Sequence, residues 1–199
     1  MSVARLIYRA RQFWHGLRLT PTDSEIDRVR SMLNAAQFDL FMRLQPGEQS
    51  HSLAVFTKLF GTGEENRDLL VAALLHDVGK ILYPLKLWER VWIVLGKAFP
   101  TRLLKGWVLG DLEDLQNISF WRRPFVVAQQ HPQWGAELAA QAGSSALVVL
   151  LIQRHQENLA VYENLLRQDW SPASGRERSE FQSLEDVLLR KLQAADDQS

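Results

Sequence analysis

Two adjacent residues, His76 and Asp77, are the side chains of this chain whose types and setting point most clearly to chemistry. They follow the apolar run of residues 69–75, which the pattern predicts to be a buried helix. Burying an ionised carboxylate beside an imidazole is costly unless both groups gain a partner, and a divalent metal ion is a partner for both. The pair therefore predicts a metal site. Gly79 is expected to end the helix in the left-handed conformation, and Lys80 to place a cation just beyond the metal.

Three further histidines, His51, His131 and His155, lie far apart in the sequence, in predicted buried helices or at their ends. His51 precedes apolar residues at spacings of three, four and eight, and His155 shares a helix face with Leu151 and Leu159. Both should therefore point into the protein. Ligands that come from several separate helices are typical of metal sites in helical bundles, so these histidines are candidate ligands.

The helices that must position these residues follow from the spacing of apolar side chains and from Gly and Pro. Alternation typical of strands is missing, so the sequence predicts an all-α fold. Pro132 is expected to interrupt one helix and begin another. After a turn at residues 21–24, the pattern predicts a helix to about residue 44. Further helices are predicted around His51, over 64–75 and 125–130, from 132 to 142, and from a cap at 144 or 145 to about 162. A mobile loop over 171–180 and a last helix follow.

The last helix contains one more candidate ligand. Leu184, Leu188 and Ala195 define its inward stripe, which places Asp196 at the edge of the stripe and Asp197 nearly opposite. Asp196 is therefore the candidate. The alternative is a frayed and solvated helix end, because only three residues follow.

The chain resembles the HD superfamily of metal-dependent phosphohydrolases. The similarity covers roughly residues 46–199. Its motifs are a histidine within 49–55, a His-Asp pair within 73–80, Ala-Ala-Asp at 194–196, and the segments 131–138 and 154–155, which are similar to the extra histidines of dinuclear members. Those members include bacterial enzymes that cleave diadenosine tetraphosphate. The Gly-Tyr-Pro signature of cyclic-di-GMP phosphodiesterases is missing after His131, which disfavours that substrate.

The resemblance implies an HD-domain/phosphodiesterase-like helical bundle that binds divalent metal, with two ions expected. Iron or manganese is expected, and magnesium, cobalt, nickel or zinc remain possible. By this resemblance Asp77 bridges the two ions. The implied ligands are His51, His76, Asp77 and Asp196 for one ion, and His131 and His155 with Asp77 for the other.

The resemblance further implies hydrolysis of a phosphoester or phosphoanhydride in a small nucleotide-like substrate, by attack of a metal-bound hydroxide. Asp77 and Lys80 are the expected catalytic residues, and Lys80, Arg122 and Arg154 the expected contacts to substrate. Two alternatives remain open. One is a regulatory HD module that binds metal or nucleotide without catalysis, and the other is a di-iron oxygenase.

Composition narrows the class of protein. The chain has 199 residues, of which 46% are hydrophobic and 23% charged, as in an ordinary globular domain. Its 23 basic and 23 acidic residues cancel, so no nucleic-acid polymer is expected as a partner. Without cysteine, any metal must be held by nitrogen and oxygen ligands. No secretory signal or membrane-spanning run is evident, so a cytoplasmic enzyme is expected, with its oligomeric state open.

Two segments have an open role. Residues 1–20 are predicted to form a basic amphipathic helix ahead of the HD domain at 21–199. That helix is expected either to dock on the domain or to touch an anionic membrane or a partner. Residues 84–124 are rich in tryptophan and are expected to form a hydrophobic cover, or alternatively a platform that stacks on a nucleobase.

Overall fold

The computed structural model of this protein describes residues 20–86, 88, 89, 93, 119–157 and 176–199, with side chains of the last range from residue 184 onward. Within those ranges the protein is helical and has no β-strand, which confirms the predicted all-α fold. A 3₁₀ helix spans Val78–Leu82. The α-helices are α1 (Asp23–Met32), α2 (Ala35–Met42), α3 (Pro46–Gly61), α4 (Arg67–Leu75), α5 (Arg123–Gln141), α6 (Ala146–Arg154) and α7 (Arg176–Asp196).

Helix α4 is the centre of the hydrophobic core. All of its residues from Leu69 to Leu75 are buried, and it packs against α2, α3, α6 and α7. It begins at Arg67 rather than at residue 64, because the Asn66 side chain accepts a hydrogen bond from the Leu69 amide at 3.0 Å and caps the helix there. A helix buried on every side can deliver its last residues into the protein interior, and His76 and Asp77 follow directly.

The predicted single helix from the turn at residues 21–24 to about residue 44 is wrong. Leu33 is extended, and Asn34 begins a second helix with a capping box. The Asn34 side chain accepts from the Gln37 amide at 2.9 Å, while the Gln37 side chain accepts from the Asn34 amide at 3.0 Å. The two caps satisfy backbone donors that a continuous helix would have paired internally, which favours the break.

The predicted interruption at Pro132 is also wrong, because α5 continues through it from Arg123 to Gln141. A proline inside a helix removes one backbone donor and crowds the preceding turn. Here His131, Pro132 and Trp134 are all buried. Tertiary packing of this part of α5 offsets the cost of the proline and keeps the helix continuous.

Two helix ends differ from the prediction. Helix α6 ends at Arg154, where the Glu157 amide closes a turn on the Arg154 carbonyl at 2.8 Å, so His155 lies at the helix end and not inside it. Residues 158–162 lie outside the described ranges. Helix α7 already begins at Arg176, so the predicted loop is wrong over residues 176–180, where helix-favouring Arg and Glu predominate.

Gly79 has a different role from the predicted one. Within the described ranges only Gly63 and Gly143 have positive φ, so Gly79 is not a left-handed helix end. A Cβ on Gly79 would overlap the carbonyl oxygen of His131 and lie 2.7 Å from the Gly135 amide nitrogen. Glycine is required there because the 3₁₀ helix and α5 touch backbone to backbone, and this contact brings Asp77 beside His131.

The two segments whose role the sequence leaves open, residues 1–20 and 84–124, lie mostly outside the described ranges. Residues 1–19 and nearly all of 90–118 are outside them. Trp88 and Trp121 are described, and their exposed fractions are 46% and 47%, so these two side chains do not form core. Stacking on a base stays a prediction for them. Across the described ranges, no helix combines the length and apolarity needed to cross a membrane.

Candidate metal centre

Six side chains that the sequence singles out converge from five helices on one place. His51 lies on α3, His131 on α5, and the other four lie at or just beyond helix ends: His76 and Asp77 after α4, His155 after α6, and Asp196 at the end of α7. Side chains at helix ends can turn inward without disturbing the apolar faces behind them, which explains how a mainly hydrophobic core accommodates this polar cluster.

Three of the histidines are fixed in the same orientation. His76, His131 and His155 each hold Nδ1 2.7–3.1 Å from a backbone carbonyl oxygen three or four residues earlier. A carbonyl oxygen only accepts, so Nδ1 carries a hydrogen, and in the neutral form of each ring the lone pair is on Nε2. Such a hydrogen bond to the second ring nitrogen is typical of histidines that bind metal through the first. All three rings therefore present a nitrogen donor to the centre.

The imidazole rings form a contiguous series. Ring centroids are 5.2 Å apart between His51 and His76, 5.2 Å between His76 and His155, and 5.3 Å between His155 and His131. Nε2 of His155 is buried and has no hydrogen-bond partner. A buried nitrogen lone pair without a partner is unfavourable, and a cation would satisfy it. The donor set therefore fits a divalent metal ion.

Asp77 lies between two groups of donors. Its Oδ2 is 3.6 Å from Nε2 of His76, and its Oδ1 is 3.2 Å from Nε2 of His131. In each group, one potential ligand atom per residue lies within 4.8 Å of the others. We call His51, His76, Asp77 and the adjacent Asp196 the outer half-site, and Asp77, His131 and His155 the inner half-site. The arrangement allows one carboxylate to serve two ions.

Asp196 contacts the outer half-site directly. Its Oδ1 lies 2.8 Å from Nε2 of His51 and 3.7 Å from Nε2 of His76. Burial opposes its ionisation, but the hydrogen bond from His51 and the charge of His76 lower the pKa of Asp196 to about 2. Ser199 also hydrogen-bonds to the carbonyl oxygens of Ala195 and Asp196, so the end of α7 is not frayed. A ligand role for Asp196 stays a prediction.

The ionisation states suit metal binding at neutral pH. Burial opposes ionisation of Asp77, but Lys80, His76 and His131 hold its pKa well below the usual range. Burial, followed by the neighbouring His76 and His131, lowers the pKa of His155 to about 3. The inner half-site therefore combines a carboxylate with a neutral imidazole, and these are the forms that bind metal.

Lys80 is held by two carboxylates. Its Nζ lies 2.6 Å from Oδ2 of Asp77 and 3.2 Å from Oε2 of Glu48, which is buried. Burial alone would lower the pKa of Lys80, but these two carboxylates raise it well above the usual range. Sequence reasoning missed Glu48. Its position three residues before His51, on the same helix face, was the available signal.

The two predicted arginine contacts have different settings. The Arg154 side chain, 11% exposed, pairs with Glu157 at 2.9 Å and with Asp186 of α7 at 3.4 Å. These pairs join the turn after α6 to α7. Arg122 is the partly buried residue immediately before α5. Contact of either arginine with a substrate stays a prediction.

Comparison with known proteins assigns the family. A family model described as HD domain matches residues 49–197, which span all six converging residues. No curated protein and no solved structure matches the chain. The chain belongs to the HD domain family, whose members bind divalent metals and are generally metal-dependent phosphohydrolases, so the predicted family is confirmed.

Proposed function

We propose that this HD-domain protein is a dinuclear metal-dependent phosphohydrolase that cleaves a phosphoester or phosphoanhydride of a small nucleotide-like molecule. The observation that carries the proposal is the Asp77 carboxylate, whose Oδ2 lies 3.6 Å from Nε2 of His76 and whose Oδ1 lies 3.2 Å from Nε2 of His131, so that Asp77 belongs to both groups of potential ligands. A shared carboxylate between two nitrogen-rich groups is the arrangement that holds two divalent ions close together.

Iron or manganese is the proposed metal. Four imidazole nitrogens with carboxylate oxygens suit these ions, while magnesium, which prefers oxygen ligands, suits them less. Two such ions would activate water as a nucleophile and neutralise charge on the phosphoryl group. The residues proposed to hold them are His51, His76, Asp77, Asp196, His131 and His155.

The protein's own charged groups then orient the site. Lys80 fixes Oδ2 of Asp77, and its side chain is 22% exposed, so it can also meet a phosphoryl oxygen at the edge of the centre. Glu48 is a positioning residue, because its Oε2 lies 3.2 Å from the same Lys80 Nζ that contacts Asp77. This double pairing keeps the bridging carboxylate in one orientation before the substrate arrives.

A small substrate is proposed in preference to a polymer. The zero net charge of the chain gives no support for a nucleic-acid polymer.

The experiment is metal analysis of the purified protein and of Asp77→Asn, with Asp39→Asn, which changes an exposed aspartate of α2, as the control. We expect about two equivalents of metal in the wild type and in the control, and loss of both in Asp77→Asn. Turnover of a phosphoester and phosphoanhydride panel should fall by about 10³-fold in Asp77→Asn, because both half-sites lose their shared ligand.

Other outcomes would contradict the hydrolase. Bound metal without turnover of any phosphoester, but with nucleotide binding, would identify a regulatory module. Oxygen uptake by iron-loaded protein would identify an oxygenase. Turnover that survives Asp77→Asn unchanged would remove the bridging carboxylate from the mechanism.

A further inference from the structure

Gln156, which the proposed mechanism does not use, reaches the inner half-site. Its side-chain Nε2 lies 3.4 Å from Nε2 of His131. The residue follows His155 directly and is exposed, so its amide lies where a substrate would approach the buried histidines. No motif in the sequence marks it.

The contact between Gln156 and His131 is a weak one. Nδ1 of His131 lies 3.1 Å from the carbonyl oxygen of Val127, and Nε2 lies 3.2 Å from Oδ1 of Asp77. The Gln156 amide is an additional contact of Nε2 at 3.4 Å, longer than an ordinary hydrogen bond. A metal ion held by Nε2 would leave the Gln156 amide N–H without this partner and beside the ion.

The backbone around Gln156 is held in place. The Glu157 amide donates to the Arg154 carbonyl at 2.8 Å, and the Gln193 side chain of α7 donates to the Glu157 carbonyl at 2.9 Å. The residue is therefore fixed on both sides, and the released amide stays within reach of the inner half-site. A donor held beside a cation is suited to an anionic ligand.

We propose that Gln156 contacts the substrate by donating its amide N–H to a phosphoryl oxygen bound at the inner half-site. This rests on the proposed function and deepens it, because it assigns a residue that recognises the phosphoryl group. An uncharged amide fits this place, since it donates to the phosphate without repelling the metal ions that hold it.

The test uses inorganic phosphate as the probe and calorimetric titration of the Mn²⁺-loaded full chain. We expect Gln156→Ala to weaken phosphate binding about tenfold, the effect of one hydrogen bond to a charged group, while bound manganese stays at the wild-type value. The control is Gln153→Ala, which removes an exposed glutamine of α6 that bonds to Gln133 at 2.7 Å, and which should leave phosphate binding unchanged.

Three results would overturn the inference: no phosphate binding by the loaded wild type, equal binding by wild type and Gln156→Ala, or loss of one manganese in Gln156→Ala, which would make the residue a ligand. If phosphate binding depends on Gln156 but no substrate is turned over, this inference is supported and the hydrolase proposal is contradicted. If substrate is turned over but phosphate binding does not depend on Gln156, the hydrolase proposal is supported and this inference is contradicted. With an active substrate, Gln156→Ala should raise KM more than it lowers kcat.

Discussion

The outer and inner half-sites share Asp77 but differ in burial. In the outer half-site, the side chains of His51 and Asp196 are 28% and 29% exposed. In the inner half-site, His131 and His155 are 1% and 4% exposed. The outer half-site is therefore the more exposed of the two, while the inner half-site lies in the packed interior.

The half-sites also differ in the partners that their ligand atoms have when no metal is bound. In the outer half-site, burial tends to lower the pKa of His51, but its hydrogen bond to Asp196 raises it, so a proton can take the place of a cation. In the inner half-site, the pKa of His155 is lowered to about 3 and its Nε2 has no partner. A metal ion would satisfy Nε2 of His155 at neutral pH, which predicts that the two half-sites differ in metal exchange and in pH dependence.

The largest effect is expected where the two half-sites join. Gly79→Ala should lower the free energy of unfolding by about 3 kcal/mol or more, because the new methyl overlaps the His131 carbonyl and drives the 3₁₀ helix away from α5. Both metals should be lost as Asp77 leaves His131. Urea unfolding and metal analysis measure the two effects.

Gly61→Ala is the matched control for that substitution. No atom lies within 4 Å of a Cβ at Gly61, the last residue of α3, so alanine there should leave the stability unchanged or raise it by up to about 1 kcal/mol. If Gly79→Ala is as stable as Gly61→Ala and retains its metal, then the backbone contact does not join the half-sites.

The role of Gly79 also shows where prediction from the sequence ends. The burial of His76 and Asp77, and the inward direction of His155, follow from residue types and periodicity within one segment, and these expectations agree with the structure. The contact of Gly79 with α5 depends on residues more than 50 positions apart, and one sequence does not record such a contact. The tertiary packing that keeps α5 continuous through Pro132 is hidden for the same reason.

Some missed features did have local signals. Asn34 and Gln37 form a capping box, whose Asn-x-x-Gln spacing is visible in the sequence and marks a helix start within the predicted long helix. Glu48 lies one turn before His51 on the same helix. Gln156 had no such signal, because its place beside His131 depends on how α6 ends against α5.

The next largest effect is expected in variants that lose the ion of one half-site and keep the ion of the other. His155→Asn should reduce bound metal from about two equivalents to one and leave the outer ion, which should exchange quickly with a chelator. His51→Asn should leave the inner ion, which should exchange at least about tenfold more slowly because its remaining ligands are buried. Stopped-flow chelation with a metal-sensitive dye measures both rates. Equal rates, or loss of both ions from either variant, would contradict the distinction.

The pH dependence of the metal-free protein should have opposite signs in the two half-sites. The folded pKa of His155, about 3, lies below the unfolded value of about 6.5, so the unfolded chain binds the proton first as the pH falls. His155 should therefore lower the stability below about pH 6.5, by up to about 1.4 kcal/mol per pH unit. The raised pKa of His51 gives a contribution that is complete below about pH 6.5 and is lost as the pH rises through the folded value.

Urea unfolding in excess chelator between about pH 7.5 and 5.5 separates the two contributions. Relative to His155→Asn, the wild type should become less stable as the pH falls. Relative to His51→Asn, it should become less stable as the pH rises. If the stability of the wild type relative to each variant changes with pH in the same direction, then the two half-sites respond to protons in the same way and this distinction is wrong.

The smallest effect concerns α7, which supports both half-sites. It carries Asp196 into the outer one, and Gln193 donates to the Glu157 carbonyl at 2.9 Å, which anchors the turn that presents His155 to the inner one. Gln193→Ala should lower the free energy of unfolding by about 1 kcal/mol and speed chelation of the inner ion, with the outer ion unaffected. Gln198→Ala, which removes an exposed hydrogen bond beyond the end of α7, should change neither quantity measurably. If Gln193→Ala instead loosens the outer ion, the end of α7 moves as one body and the two half-sites are not held independently.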